Sequence, residues 1–240
     1  MEKRLQTILA HAGAASRRGA VDLIESGRIK VDGHIIKDKG ARLDPGEHKI
    51  LLDGKPLSQK KKKYYFLLNK PEGYICTTVD THDRRKITDI FDGIPDRLYP
   101  IGRLDKNTTG AIIVTNDGEL THRLSHPSFE VDKEYTVTLM GNVPRRQIDK
   151  IQKGVTIDGK STSPCAIKTV KENESNTVVR IVIHEGRKRQ VRRMFQSIGC
   201  LVKSLTRNRY AGLTVRDLSL GEFRELTQKE IEKLKRLCGL

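Results

Sequence analysis

Three groups of residues in this 240-residue sequence could together perform chemistry on one substrate. The nonapeptide 102–110 carries Asp105 between two glycines, Tyr135 lies in an alternating apolar segment, and segment 187–193 contains five basic residues. An arginine at ion-pair distance keeps a desolvated carboxylate ionised and aims its oxygens. A tyrosine ring offers a platform for an unstacked base, and Lys and Arg side chains bind phosphates. These residue types are those that chemistry on a nucleic-acid base requires.

Asp105 lies in a polar stretch between the apolar segments 98–101 and 111–114. This pattern predicts a loop between two buried strands, and Gly102 and Gly110 allow the backbone to bend sharply or approach another group closely. Taken alone, the nonapeptide favours an ordinary turn in which Asp105 pairs with Arg103 or Lys106. Only the other two groups of residues favour a functional interpretation.

The basic segment 187–193 is unusual because of its position. Val191, Met194, Phe195 and Ile198 share one face of a predicted helix, so the five cations lie at its start. A helix N-terminus carries a partial positive charge, and clustered cations there cost stability unless phosphate or a carboxylate compensates. We therefore interpret the cluster as functional, with a solvated basic face as the alternative.

Composition restricts the class of partner. Lys and Arg total 46 against 30 Asp and Glu, giving a net charge of +16, which favours nucleic acid or an anionic membrane surface. No apolar run is long enough to span a bilayer, and the N-terminus lacks an apolar signal-peptide core, so we expect a cytoplasmic protein. The four cysteines lie far apart, which argues against a zinc site or a disulfide framework, and no glycine-rich phosphate loop offers a seat for a nucleotide cofactor.

The N-terminal part of the chain has the pattern of a small separate domain, residues 1–58. Helical spacing over 5–12 and 16–24 is followed by predicted hairpins at 29–36 and 50–57, each turning at Asp-Gly. The sequences Ala15-Ser16-Arg17-Arg18 and Gly27-Arg28-Ile29-Lys30-Val31-Asp32-Gly33 resemble an S4 RNA-binding domain (αL type). This resemblance implies RNA contacts from Arg17, Arg18, Arg28 and Lys30, for which a solvated charged face is the alternative.

Residues 59–63 are predicted to form a basic linker, and residues 64–240 a mixed α+β domain. Its strands and helices are predicted from the pattern of apolar residues. Strands are expected at 64–68, 74–79, 98–101, 111–114, 131–139, 178–183, 201–206 and 223–226, with a hairpin from 155; helices are expected at 119–124, 144–151 and 187–198 and from 227 to the C-terminus, and a helical turn at 87–91. Thr227 and Glu230 have the spacing of a capping box at the start of the last helix.

Four motifs in this second domain resemble those of pseudouridine synthases. They are Leu67-Leu68-Asn69-Lys70-Pro71-x-Gly73, Gly102-Arg103-Leu104-Asp105-x-Asn107-Thr108-x-Gly110, Lys133-x-Tyr135 and Glu185-Gly186-Arg187-Lys188-Arg189-Gln190-Val191-Arg192-Arg193-Met194. The last is similar to the basic motif of the RsuA branch, whose members carry an N-terminal S4 domain. The resemblance implies a mainly antiparallel sheet with flanking helices, and isomerisation of a uridine in RNA without cofactor or metal.

The resemblance also implies roles for individual residues. Asp105 would be the essential carboxylate, acting at C1′ of the ribose or on the base ring; Tyr135 would pack on the target base; and Arg192 would pair with Asp105. Arg103 would help to hold the flipped nucleotide. Further RNA contacts are expected from Lys70, Arg187, Lys188, Arg189 and Arg193.

The expected partner is ribosomal RNA or a ribosomal subunit precursor, bound by a monomer that contacts no membrane. Segments 73–77 and 84–89 and the motif 186–194 are more similar to the large-subunit (RluB-like, 23S) enzymes of the RsuA/RluB-type family. A small-subunit (16S) enzyme of the same branch is one alternative. The other is a non-catalytic S4-domain factor for ribosome binding or assembly, which would not need Asp105, Tyr135 and Arg192 in their catalytic context.

Overall fold

The computed structural model of the protein describes residues 2–57, 62–78, 80 and 82–240. They divide into a first compact unit, which extends to Lys63 and includes Pro95–Arg97, and a second, which consists of Tyr64–Ile94 and Leu98–Leu240. Of the predicted linker 59–63, residues 59–61 lie outside the described residues. Among the described residues, no helix is both long and apolar enough to cross a membrane.

The first unit packs two helices against short strands. Helices α1 (Leu5–His11) and α2 (Arg17–Glu25) bury Leu5, Leu9 and Ile24 completely. The strands are β1 (Lys3–Arg4), β2 (Ile29–Val31), β3 (His34–Ile35), β4 (Arg42–Leu43), β5 (Ile50–Leu52) and β6 (Lys55–Pro56). Strands β3-β2-β5-β6 form one antiparallel sheet and β1 pairs with β4. The two predicted hairpins are confirmed as the outer pairs of this sheet.

Among the described residues, the second unit is built on one nine-stranded sheet with four α-helices. Its strands are β7 (Tyr65–Lys70), β8 (Tyr99–Pro100), β9 (Thr109–Thr115), β10 (Lys133–Met140), β13 (Ala166–Glu172), β14 (Asn176–Ile183), β15 (Val202–Tyr210), β16 (Leu213–Thr214) and β17 (Phe223–Glu225), and β11 (Thr156–Ile157) pairs with β12 (Lys160–Ser161) outside it. The helices are α3 (Gly118–Ser125), α4 (Arg145–Lys153), α5 (Gln190–Ser197) and α6 (Gln228–Leu237), with 3₁₀ helices at Ile87–Phe91 and Pro127–Phe129. The predicted α+β class is confirmed.

The main path of the sheet is β13-β14-β10-β15-β9-β7-β17. All neighbours are antiparallel except β15 and β9, whose parallel ladder consists of Thr206 opposite Thr109 and Arg207 opposite Gly110. This two-residue ladder joins the two halves of the sheet. The strand β13 was not predicted from the sequence, because its alternation of apolar and polar side chains is weak and most of its residues are exposed.

Helices cover both faces of the sheet centre, which explains the sequence of β7 and β9. Alternate residues of a strand point to opposite faces. Phe66, Leu68, Ile112 and Val114 therefore pack in the core that contains α4 and α5, while Tyr65, Leu67 and Ile113 pack in the core of α3 and α6. Because both faces are buried, these strands are apolar without alternation. In β10 one face alternates as predicted, with Tyr135, Val137 and Leu139 buried.

The segment 74–79 does not form the predicted strand. Only an isolated parallel bridge between Ile75 and Lys86 is present, and Val79 lies outside the described residues. The nearby glycine of the turn, Gly73, donates its amide to the carbonyl oxygen of Lys106 at 2.9 Å. The segment therefore packs beside the loop that carries Asp105 instead of extending the sheet.

Replacing Gly110 with alanine tests the two-residue ladder between β9 and β15. A Cβ atom on Gly110 would lie 2.2 Å from the carbonyl oxygen of Arg207, and the residue has a φ of +107°. We expect Gly110→Ala to lower the free energy of unfolding by about 3 kcal/mol or more, because backbone atoms must move apart.

Gly141→Ala is the matched control. Gly141 also has a positive φ, +75°, but an added Cβ meets nothing within 4 Å. We expect a loss of about 1–2 kcal/mol from backbone strain alone. Urea unfolding followed by circular dichroism measures both, and equal losses would show that the close approach at Gly110 does not limit stability.

Candidate active site

Asp105 lies in the loop between β8 and β9. The amide of Thr108 donates to the Asp105 carbonyl at 3.0 Å, and the amide of Leu104 donates to Sγ of Cys76 at 3.3 Å. The Asp105 side chain is 32% exposed. The loop thus holds its backbone by local bonds and leaves the carboxylate accessible from solvent.

Lys70 holds this loop by hydrogen bonds to main-chain carbonyl groups. The residue has no exposed surface, and its ammonium group donates to the carbonyl oxygens of Pro71, Lys106 and Thr108 at 2.8, 3.4 and 2.9 Å. Burial lowers the pKa of Lys70, while nearby Cys76, Glu72 and Asp105 act in the opposite direction. The prediction that Lys70 contacts RNA therefore does not hold for the folded protein. Its charge is used to gather carbonyl groups beneath Asp105.

A cavity of about 740 Å³ opens beside the loop. Its walls bring together several residues that the sequence singled out: Arg103, Asp105, Tyr135, Arg187, Lys188 and Arg189. Tyr135 is 8% exposed. Lys133 and Arg207 also line the cavity, so six of its lining residues are lysine or arginine. Two lining residues, Asp105 and Glu185, are acidic. Such an excess of positive charge suits a ligand that carries phosphate.

The ion-pair partner of Asp105 differs from the prediction. Nη1 of Arg189 lies 3.8 Å from Oδ2 of Asp105, and among the described residues neither Arg103 nor Lys106 pairs with this carboxylate. Arg192 is not paired with it either. Instead its Nη2 donates to the carbonyl oxygen of Asn107 at 2.7 Å and its Nη1 to that of Val202 at 3.2 Å. Arg192 therefore holds the backbone of the Asp105 loop, while Arg189 approaches the carboxylate itself.

The start of α5 explains this exchange of roles. The helix begins at Gln190, three residues later than predicted, and Arg189 is its N-cap in a left-handed conformation with φ of 53°. Arg187, Lys188 and Arg189 thus lie in the loop before the helix, and only two cations occupy its first turn. The reversal of the backbone at Arg189 directs its side chain towards Asp105.

Glu185 organises the loop before α5. Its Oε1 accepts from Nε2 of Gln190 at 2.5 Å and from the amide of Ser163 at 3.0 Å. Arg187 lies 3.3 Å from Oε2 of Glu185 and also donates to the carbonyl oxygens of Lys160 and Ser161. Arg187 is therefore tied to the β11–β12 hairpin. Arg193 forms an ion pair with Asp158 of the same hairpin.

The four predicted RNA contacts of the first unit lie at its surface. Arg17, Arg18, Arg28 and Lys30 are all exposed. Arg28 forms an ion pair with Asp53 at 2.5 Å, which raises the pKa of Arg28. These positions fit a contact with a polyanion, and the structure gives Arg28 a protein partner as well.

Sequence reasoning missed Arg207 and Tyr210, which lie at the inner end of the cavity. Arg207 is 2% exposed and its guanidinium lies 4.4 Å from the centre of the Tyr210 ring. The predicted strand stopped at residue 206, whereas β15 continues to Tyr210. The available signal was the spacing of Leu205 and Arg207, which places an arginine on the buried face of a strand.

Lys133 belongs to the Lys133-x-Tyr135 motif, but the sequence predicted no role for it. Its ammonium group donates to the carbonyl oxygens of Val131 and His184, at 2.5 and 2.8 Å. Burial lowers the pKa of Lys133 to about 8, and the charge of Arg207 acts in the same direction.

Among the described residues, no three His, Cys, Asp or Glu side chains are grouped so that they could hold a metal ion.

Comparison with known proteins identifies the family. Residues 64–197 match the family described as RNA pseudouridylate synthase, and residues 3–48 match the S4 domain. The chain belongs to the RNA pseudouridylate synthase family. The predicted family is confirmed, and membership favours an enzyme over the non-catalytic S4-domain factor.

Three relatives of the synthase cover nearly its whole length. Ribosomal large subunit pseudouridine synthase B of Bacillus subtilis is 40% identical over 98% of this chain and 97% of its own. Ribosomal small subunit pseudouridine synthase A of Escherichia coli is 37% identical over 95% of this chain and 98% of its own. A crystal structure of a pseudouridylate synthase, 32% identical, covers 96% of this chain and 99% of its own with a TM-score of 0.69. The similarity to each of these three proteins therefore extends over both the S4-domain match and the synthase match of this chain.

Lys70→Met tests how the loop of the synthase is supported. Methionine fills a similar volume but leaves three buried carbonyl groups without their charged donor. We expect the free energy of unfolding to fall by about 2–4 kcal/mol. Lys106→Met, an exposed position in the same loop, is the control, with an expected change within about 0.5 kcal/mol. Urea unfolding measures both, and a similar small change in the two variants would contradict the role of Lys70.

The lowered pKa of Lys133 predicts a pH dependence of stability. The unfolded chain holds this proton up to its ordinary pKa of 10.5, whereas the folded chain releases it near 8. The unfolded state thus binds more protons between these values, so the contribution of Lys133 to stability rises from pH 8 to pH 10.5 and is smallest below pH 8. We expect Lys133→Met to lose this rise.

The measurement is the free energy of unfolding in urea at several pH values between 7 and 10.5. Lys203→Met, an exposed lysine on β15, should keep the pH dependence of the parent protein. If the free energy of unfolding depends on pH in the same way in the parent protein and in Lys133→Met, Lys133 has an ordinary pKa.

Proposed function

We propose that this synthase isomerises one uridine of large-subunit ribosomal RNA to pseudouridine and that Asp105 is its catalytic carboxylate. The observation that carries the proposal is the position of Asp105, accessible in a basic cavity together with Arg189 and the ring of Tyr135. In the reaction the N1–C1′ bond breaks, the uracil turns, C5 bonds to C1′, C5 loses its proton and N1 gains one. The atoms balance without a group donor, an oxidant or a reductant.

Each residue receives a role from its position. Asp105 acts at C1′ or on the base ring, and Tyr135 packs on the flipped base. Arg189 lies 3.8 Å from the carboxylate and directs its oxygens, the role that the resemblance implied for Arg192. Arg192 positions the loop through the Asn107 carbonyl. Arg103 and Lys188, both exposed at the cavity, hold the backbone of the flipped nucleotide.

We further propose that residues 1–58 anchor RNA, that residues 59–63 link the domains and that residues 64–240 perform the reaction. Exposed Arg17, Arg18, Arg28 and Lys30 support the anchoring role, since phosphate contacts position a protein without reading sequence. The synthase would act as a cytoplasmic monomer on ribosomal RNA or a subunit precursor, in contact with no membrane. The 40% identity to a large-subunit enzyme supports the choice of subunit.

The test is a pseudouridine map of ribosomal RNA from cells that lack the protein. Carbodiimide labelling and primer extension locate each pseudouridine, and complementation uses the parent protein, Asp105→Asn and the exposed control Asp217→Asn. We expect one large-subunit site to disappear and to return with the parent protein and Asp217→Asn only. The rate with Asp105→Asn should fall by about a thousandfold or more, because the amide can serve neither as nucleophile nor as base.

Other outcomes separate the alternatives. Loss of a small-subunit site would keep the chemistry and overturn the choice of subunit, for which the Escherichia coli relative is the precedent. Restoration of the site by Asp105→Asn would remove Asp105 from catalysis. An unchanged map would overturn the proposed substrate.

A further inference from the structure

Arg207 is a buried cation with an unused donor. Its Nε donates to the carbonyl oxygen of Ala111 at 2.7 Å, but its Nη2 is buried and has no acceptor in the described part of the chain. None of the ion pairs formed by the described residues includes Arg207. Burying a guanidinium without a carboxylate partner is unfavourable, and buried donors are normally paired. The guanidinium of Arg207 is therefore an exception that calls for an acceptor from outside the chain.

The sheet fixes where this donor lies. Arg207 of β15 is directly opposite Tyr135 of β10, so their side chains are cross-strand neighbours on one face. Both line the cavity that contains Asp105. Arg207 is 2% exposed, whereas the Asp105 side chain is 32% exposed, so the donor lies at the closed end and the carboxylate nearer the opening.

We propose that the guanidinium group of Arg207, which lines the cavity, donates to the exocyclic carbonyl oxygen at the far end of the flipped uracil. This inference rests on the proposed function of the cavity. If the ribose lies at Asp105 and the base on Tyr135, the ring atom that points to the closed end is the one opposite the glycosidic bond. In uridine the bond is at N1 and the opposite ring atom is C4, so O4 meets Arg207.

The same donor serves the product. When uracil turns about its N3–C6 axis, C5 takes the place of N1 and C2 takes the place of C4. O2 then occupies the position that O4 has left. One fixed donor thus donates to a carbonyl oxygen in both orientations, and neither the substrate nor the product leaves a buried donor unpaired.

This arrangement also selects the base. Cytosine carries an amino group at C4, which would place donor against donor beside a buried positive charge. A site built to bond a particular group rejects a base that lacks it, because the protein group is then left unpaired. Arg207 is therefore a specificity-determining residue for uracil over cytosine.

The alternative is a purely structural role, in which Arg207 stacks on Tyr210 and binds Ala111. The two roles are separated by substrates that differ at one atom. A short hairpin RNA centred on the uridine found by the mapping experiment is prepared with uridine or 4-thiouridine at that position, because sulfur is a weaker acceptor than oxygen. A third hairpin with cytidine there serves as a competitor.

The proteins compared are the parent, Arg207→Met, Arg207→Lys and the control Arg209→Met, an exposed arginine on the same strand. Arg207→Lys keeps a positive charge near Tyr210 but lacks the guanidinium Nη2. If Arg207→Met does not fold, Arg207→Lys can still be compared with the parent protein. Circular dichroism monitors folding. Nucleoside analysis after nuclease digestion gives kcat/KM for each hairpin.

We expect the parent and Arg209→Met to prefer uridine to 4-thiouridine by about tenfold or more. For both Arg207 variants, kcat/KM on the uridine hairpin should fall by about tenfold or more relative to the parent. The ratio of their kcat/KM values on the uridine and 4-thiouridine hairpins should approach one. The cytidine hairpin should inhibit the Arg207 variants more strongly than the parent.

Three results overturn the inference. A parent protein without preference between the two uridines shows that no donor meets O4. Arg207 variants that lose activity equally on both substrates, with the preference unchanged, show a structural role only. A parent protein that converts no hairpin at all overturns the proposed function and this inference with it, which distinguishes that failure from a failure of Arg207 alone.

Discussion

The candidate active site depends on the contact between the backbones of Gly110 and Arg207. Strands β9 and β15 are parallel neighbours through two residue pairs only, and this short ladder joins the two halves of the sheet. Asp105 is carried by the half that contains β9, while Tyr135, Arg189 and Arg207 belong to the half that contains β15. A side chain at position 110 would hold these halves apart, since its first carbon atom would overlap the Arg207 carbonyl. The glycine that ends the Asp105 motif is thus required by the assembly of the site.

Around this contact the protein uses cations in two different ways. Lys70 and Arg192 donate to main-chain carbonyl groups and give the Asp105 loop its shape. Arg189 and the exposed Arg103 and Lys188 face the cavity. The first group is desolvated and acts through geometry, whereas the second remains available to a polyanion. The net charge of +16 is consistent with RNA binding, but it does not reveal which cations have become structural.

Much of the fold followed from local patterns. Apolar runs located β7 and β9, alternation located β10, and the capping box of Thr227 and Glu230 starts α6 as expected. The composition of the site followed from the family resemblance. What failed were features set by tertiary contacts: β13 is an exposed strand with a weak pattern, and the end of β15 depends on its neighbours. The exchange between Arg189 and Arg192 could not be predicted, because it depends on one residue adopting a left-handed backbone conformation that arginine seldom takes.

That conformation has a consequence for the thermodynamics of ligand binding in the cavity. A non-glycine residue in the left-handed region costs about 1–2 kcal/mol, and the bonds among Glu185, Gln190 and Ser163 maintain it in the free protein. Asparagine or glycine would adopt the turn at lower cost, but neither could bring a cation to Asp105. Because the backbone direction of Arg189 is set during folding, the cost of ordering that backbone is met before any ligand enters the cavity. A preorganised backbone of this kind lowers the entropic cost of association for a ligand that contacts the Arg189 side chain.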